Sequence, residues 1–210
     1  MLAAEGALLL LLLRRVRLVG ENFGPLWTPG ALQQDVANDV LAGRRAAATA
    51  AQLELQREAA AIGFGVEPID IPWGYEVQRA HRAAHGLAEG LRRHVELAAL
   101  DDVEEAARDA VRWARNRAEL TAATEAAESW SVARDVSLRD AVERGPRLAA
   151  ELVKVWDAEL DKRTCDVCAR AHGAMVGIDE DFPEGTPGGV HPKCRCQYHV
   201  MTIHEWRTIQ

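Results

Sequence analysis

The chain has 210 residues, 48% of them hydrophobic, 27% charged and only 5% aromatic, with a formal net charge of −7 and a pI of about 5.5. That is a globular composition, long enough for one large domain or two small ones. Basic and acidic residues number 18 against 22 up to Ala150 and 7 against 10 beyond it, so neither half carries the electrostatic footprint of tight duplex binding, although a local patch is left open.

The N-terminus opens with the leucine run Leu8 to Leu13, followed by Arg14, Arg15 and Arg17. A secretory signal carries its positive charge before the apolar stretch and a small-residue cleavage site after it. Here that order is reversed, with Glu5 in front, and the run is far shorter than the ~20 residues that cross a bilayer. We expect an amphipathic or buried helix and no secretion, with a membrane-surface or partner-docking helix as the less favoured alternative. Gly20 to Gly30, rich in Gly, Pro and aromatics, reads as a loop.

Ala31 to Ile62 is a predicted helix with Arg44 and Arg45 on its polar side, ended by Gly63-Phe-Gly65. Alanine dominates from Ala46 to Ala150, so the core is expected to be built from small and aliphatic side chains on helices, where alanine loses little side-chain entropy. Pro68 to Gly74 reads as an irregular linker. Beyond it Val77, Ala80, Ala84, Leu87, Leu91 and Val95 recur by three and four and share a helix face. Asp101-Asp102 suits a helix restart, and Val103, Ala107, Ala110, Ala114 and Ala118 continue an apolar stripe. Ser137 with Asp140 has the form of a capping box, which predicts a further short helix ending near Gly145-Pro146. Stripes of small residues suit helices packed closely, or a helical arm laid along another protein.

After Pro146 the pattern changes. Leu152 to Trp156, Ala174 to Ile178 and Gln197 to Ile203 alternate like short strands, and Phe182 to Gly189 reads as a flexible loop. The expected fold is therefore α+β: a mainly α-helical N-terminal region followed by a small C-terminal α+β module. The expected divisions are a leucine-rich segment and loop over 1–30, a helical region over 31–146 and the module over 147–210. A module of that size buries little surface and needs a staple.

The staple is legible in the cysteines, all four of which lie between positions 165 and 196. Cys165-Asp-Val-Cys168 has the C-x2-C spacing that lets two thiolates reach one tetrahedral metal from a tight turn. His191-Pro-Lys-Cys194-Arg-Cys196 offers three more ligands, so five candidates compete for the four positions of one zinc. Cys165 and Cys168 are the fixed pair, and two of His191, Cys194 and Cys196 complete the shell, with His191 favoured. Alternate residues of a strand face opposite ways, so Cys194 and Cys196 can share a metal only if the backbone turns there. A redox dithiol would need a larger βαβ frame, and disulfides an oxidising compartment. With more ligands than positions and no H-E-x-x-H or H-x-E motif, the zinc is expected to be structural. His81, His85 and His94 on the helices, and His172, His199 and His204 in the module, are expected to be solvated or to pack rather than to ligate.

The order Trp156 … Asp161-Lys-Arg163-Thr-Cys165-Asp-Val-Cys168 … Gly173 … His191-Pro-Lys-Cys194-Arg-Cys196 resembles the phage Mu F-like family of minor capsid, or head morphogenesis, proteins, which includes the SPP1 gp7 group. The resemblance is strong from Trp156 to Cys196 and weak from about Arg115 to Glu151, where Thr124-Glu125 loosely matches a Thr-Glu pair of the family. It implies a low-copy structural component of a tailed-phage head, made in the host cytoplasm and assembled with portal and major capsid proteins. It implies no reaction and no small-molecule substrate, and contact with packaged DNA is only weakly supported in so acidic a chain. The alternative reading is a zinc-containing nucleic-acid-processing enzyme or DNA-binding adaptor. A nuclease of the HNH type would need a second metal-binding His/Asn pair and a basic surface.

Overall fold

A computed structural model describes residues 29–98, 103–145 and 147–209. The Leu8–Leu13 run and most of the Gly20–Gly30 segment lie outside the described residues, as do residues 99–102, where a helix restart was expected. Among the described residues the chain forms helices α1 (Pro29–Ala61), α2 (Trp73–Ala98), α3 (Val103–Arg144) and the short α4 (Arg147–Glu151), then β1 (Leu152–Asp157), α5 (Asp166–Ala171), β2 (Met175–Gly177), β3 (Gln197–Thr202) and α6 (Ile203–Thr208). The described chain is thus mostly helical, with a small antiparallel sheet at its C-terminal end. No helix among the described residues is long and apolar enough to cross a membrane.

The chain divides into two compact units, and α1 and α3 contribute residues to both. The first unit holds α1 up to Ala46 and residues 72–126. Its core is small-residue packing: Val36, Ala37 and Val40 from α1, Ala80, Ala84, Leu87 and Leu91 from α2, and Ala110, Ala114, Ala118 and Ala122 from α3. The four alanines of α3 recur every fourth residue and form one narrow stripe. The Trp113 ring is accommodated by a missing side chain, for a Cβ on Gly90 would lie 2.1 Å from it.

Arg44 departs from expectation. It is fully buried, not on a polar face, and is ion-paired to Glu76 of α2 and Glu125 of α3. Arg79 approaches Glu125 from the side at 3.8 Å. Val40 and Ala37, one and two turns back on the same face of α1, are buried as well, and two carboxylates from other helices neutralise Arg44, since a charge is tolerated inside only when so paired.

The second unit holds residues 47–71 and 127–209. Its antiparallel sheet has the order β2-β1-β3, with Val155 opposite Met175 on one side and His199 on the other. Leu152, Trp156, Tyr198 and Val200 from the sheet pack with Leu55 and Ala59 of α1 and Leu138 and Ala141 of α3. Trp156 meets Phe182 edge-on at 5.1 Å, a pairing worth about 1 kcal/mol beyond area burial. Polar ties fix the helices to the sheet. Arg134 pairs with Glu58 at 2.5 Å and reaches the Tyr198 carbonyl at 3.3 Å. The buried Lys154 of β1 bonds Asp135 at 3.1 Å and lies over the Phe182 and Tyr198 rings.

Three local expectations are corrected here. Ser137 caps nothing: α3 runs unbroken to Arg144, and Ser137 is buried and takes a hydrogen bond from Gln52 at 3.2 Å. Phe182 to Gly189 is docked rather than loose, since Phe182 and Pro187 are buried and Ser131 of α3 donates its hydroxyl to the Pro187 carbonyl. The strand expected to reach Ile203 stops at Thr202, where a true capping box with Glu205 starts α6.

Candidate metal centre

The C-x2-C pair sits where β1 has left the sheet and α5 begins. Cys165 is the N-cap of α5, in extended conformation, and its sulfur accepts from the Cys168 backbone N–H at 3.4 Å. The preceding turn is tied by Asp161, which accepts from Arg163 N–H at 2.8 Å, and by Thr164, whose hydroxyl accepts from Asp161 N–H at 2.9 Å. Gly173 N–H, just after α5, donates to the Trp156 carbonyl at 2.9 Å, so the short helix is anchored back onto β1.

The second ligand segment is a turn. Cys194 N–H donates to the His191 carbonyl at 3.1 Å, and Lys193 adopts a left-handed φ of 58°. Proline at the second position of such a turn and a positive φ at the third are what a type II turn demands. The turn folds His191 and Cys194 to the same side, and both cysteines precede β3, so strand alternation does not separate them.

The result is two overlapping triads that share Cys168: Cys165, Cys168 and His191, and Cys168, Cys194 and Cys196, each with its ligand atoms within 4.8 Å of one another. His191 Nε2 is 3.3 Å from both Cys165 and Cys168, and the Cys168 and Cys194 sulfurs are 3.8 Å apart. All five expected residues therefore meet in one cluster that can hold a metal ion, and the four cysteines are thiols, not disulfides. A small recess opens over Cys165, Cys168, His191 and Cys196, while Cys194 is buried and does not line it.

The local donors sort the sulfurs. The proton on Cys196, with the backbone N–H groups of Cys196 and Gly188, holds the Cys194 thiol down to about 5. The neighbouring Cys194 and burial push Cys196 up, with the indole of Trp156 acting in the opposite sense. Burial pushes Cys168 up to about 12, and the Cys168 N–H lowers Cys165. His191 Nδ1 lies 2.9 Å from the Pro192 carbonyl, which raises its pKa and leaves Nε2 turned to the sulfurs. Orienting a ring by its other nitrogen in this way is the usual outer support of a metal-bound histidine.

The remaining histidines lie elsewhere. His172 Nδ1 accepts from Ala158 N–H at 3.1 Å, and His199 Nε2 is 3.2 Å from Asp157. His204 and His85 are exposed, His81 is half-buried, and the side chain of His94 lies outside the described residues. Sequence reasoning did not reveal the outer supports: the carbonyl of Pro192, the N–H of Gly188, and Arg195, which reaches from between two cysteines to Asp161 at 2.5 and 2.8 Å and also pairs with Glu159. Their only sequence signal was proximity to the cysteines.

The family described as "Phage Mu protein F like protein" matches residues 31–199, which include the cysteine motif and extend well upstream of it. No curated protein and no solved structure is significantly similar to the chain. With most of its length matched, the chain belongs to the phage Mu protein F-like family.

Proposed function

We propose that this chain is a minor structural protein of a tailed-bacteriophage head, acting in head assembly through contacts with portal or major capsid subunits. It is made in the host cytoplasm and retained in the virion. The family match over residues 31–199 is the observation that carries this reading. The family points to morphogenesis rather than to a reaction, and a site with more donors than positions suits a closed, structural metal better than an open, catalytic one.

The metal of that site is one zinc per chain, held by Cys165, Cys168, His191 and Cys194. Tetrahedral zinc with Zn–S bonds of about 2.3 Å sets its sulfurs about 3.8 Å apart and sulfur and imidazole nitrogen about 3.5 Å apart. The separations found are 3.8 Å and 3.3 Å. Cys196 is the surplus donor, a buried thiol whose pKa its neighbour Cys194 and its burial push up. Three thiolates and an imidazole make a donor set that zinc prefers over magnesium or calcium.

Mass spectrometry of purified particles tests the assembly role, together with co-expression of the chain with portal and capsid subunits of the same phage. Presence in particles at low copy number and co-purification with one of those subunits are the expected results. Absence from particles, or metal-dependent cleavage of DNA by the purified chain, would sink this reading in favour of a nucleic-acid-processing role. Metal analysis of Cys194→Ser and Cys196→Ser variants separates the fourth ligand from the surplus thiol. Zinc should be lost in the first and kept in the second.

A further inference from the structure

The two halves of the metal shell come from segments far apart in the chain, and one side chain spans them outside the sulfurs. Arg195 stands between Cys194 and Cys196. Its guanidinium forms a two-pronged ion pair with Asp161, at 2.5 Å and 2.8 Å, and a further pair with Glu159. Asp161 is itself built into the turn that delivers Cys165, through the Arg163 N–H and the Thr164 hydroxyl. Bidentate pairing of this kind fixes geometry as well as distance, because the planar guanidinium matches the carboxylate in one orientation only. Asp161 and Thr164 thus have a use that neither ligation nor the fold of the sheet accounts for.

We propose that Arg195, acting through Asp161 and Glu159, is the positioning residue of the metal centre. It locks the Cys165–Cys168 turn to the His191–Cys196 segment, so that the ligands meet before the metal arrives. It also keeps one positive charge beside a thiolate-rich shell. This rests on the reading of the cluster as a zinc site, and it assigns no ligand role to Arg195.

The test uses the full chain and zinc itself, with Arg195→Met, Arg195→Lys, Asp161→Asn and Cys168→Ser variants. Zinc affinity is read by competition with a chromophoric chelator. Cobalt substitution reports the tetrahedral shell, and far-UV circular dichroism at saturating zinc reports the fold. Arg195→Met and Asp161→Asn are expected to weaken zinc binding about 10- to 100-fold, the usual loss when a support outside the ligand shell is removed. They should also speed release to chelator, while the cobalt spectrum at saturation stays tetrahedral. Arg195→Lys should recover part of the loss, since it keeps the charge without the fork. Were Arg195→Met to bind zinc as the parent does while Cys168→Ser fails, the clamp would be refuted and the zinc site retained. Were the parent to hold no more zinc than Cys168→Ser, both would fall together. Loss of circular dichroism in Arg195→Met even at saturating zinc would make the residue a folding element and overturn the positioning role.

Discussion

Gly188 lies so close to α3 that a Cβ on it would stand 2.9 Å from the carbonyl oxygen of Ala127 and 3.1 Å from the Ser131 hydroxyl. Its φ of +85° is also one that side chains rarely adopt. Two independent penalties therefore meet at one residue, and its N–H supports the Cys194 sulfur. Gly188→Ala should destabilise this unit by about 2 kcal/mol or more. The measurement is denaturant unfolding of the chain with zinc added. A loss below about 0.5 kcal/mol would mean that the loop can lift from α3 without cost.

The pH dependence of metal binding carries the signature of the ligand set. Ligands must be deprotonated to bind, so each proton displaced steepens the dependence of affinity on pH. Cys168, pushed up to about 12, gives up a proton throughout the neutral range, whereas Cys194, held down to about 5, gives up none there. His191 is raised by the Pro192 carbonyl and then by neighbouring thiolates, so it adds a further proton only as pH falls through that raised value. Without metal the linkage signs are opposite. Protonated His191 stabilises the metal-free fold below the ordinary value of 6.5 and stops doing so as pH rises through its folded pKa. The lowered Cys194 contributes above its ordinary value of 9.0 and loses that contribution as pH falls to about 5. Zinc affinity should therefore fall as pH is lowered, and more steeply once His191 takes up its proton. In His191→Ala that extra steepening should be missing. A parent chain that steepens no more than His191→Ala would remove His191 from the shell.

How much of this was readable in the sequence depended on whether the deciding interaction was local. The α2 stripe of Ala80, Ala84, Leu87 and Leu91 was readable because helical spacing alone puts those residues on one face, and they are buried as expected. The strands around Val155 and Tyr198 were readable for the same reason at period two. Capping boxes show the limit. Ser137-x-x-Asp140 looked like a helix start and lies inside α3, because Gln52 from another helix claims the hydroxyl. Thr202-x-x-Glu205 is the real box and was overlooked inside an apparent strand. At the metal centre the C-x2-C spacing exposed Cys165 and Cys168, but five donors for four places could not be ranked by spacing. Ranking them needs the Pro192 carbonyl, the Gly188 N–H and Trp156, which only the folded chain brings together.

Arg44 gives a prediction in the other unit. The guanidinium is fully buried between Glu76 and Glu125, whose side chains are 3% and 10% exposed. Removing one partner of such a group leaves the others charged and dry, which costs about 3–5 kcal/mol. Arg44→Met should lower stability by that order in urea unfolding. Replacing Arg44, Glu76 and Glu125 together by apolar residues of similar volume should recover most of it, because desolvation offsets much of the attraction in a buried cluster. A single variant as stable as the parent would mean that Glu76 and Glu125 can turn out to water.

Gly90 tests the close packing of α2 against α3 by the sign of its effect. Inside a helix, exchanging Gly for Ala ordinarily stabilises by about 1 kcal/mol, since the backbone has less freedom to lose. Here the added Cβ would fall 2.1 Å and 2.4 Å from two carbons of the Trp113 ring, far inside contact distance. Gly90→Ala should therefore destabilise, and by more than the propensity gain returns. The clash belongs to the ring, so combining Gly90→Ala with Trp113→Leu should restore the ordinary sign. The double variant is then expected to be more stable than Trp113→Leu alone. Both comparisons are read as shifts in unfolding midpoint at constant slope. A stabilising Gly90→Ala in the parent background would show that Trp113 moves aside freely, and that the absent side chain is not what admits its ring.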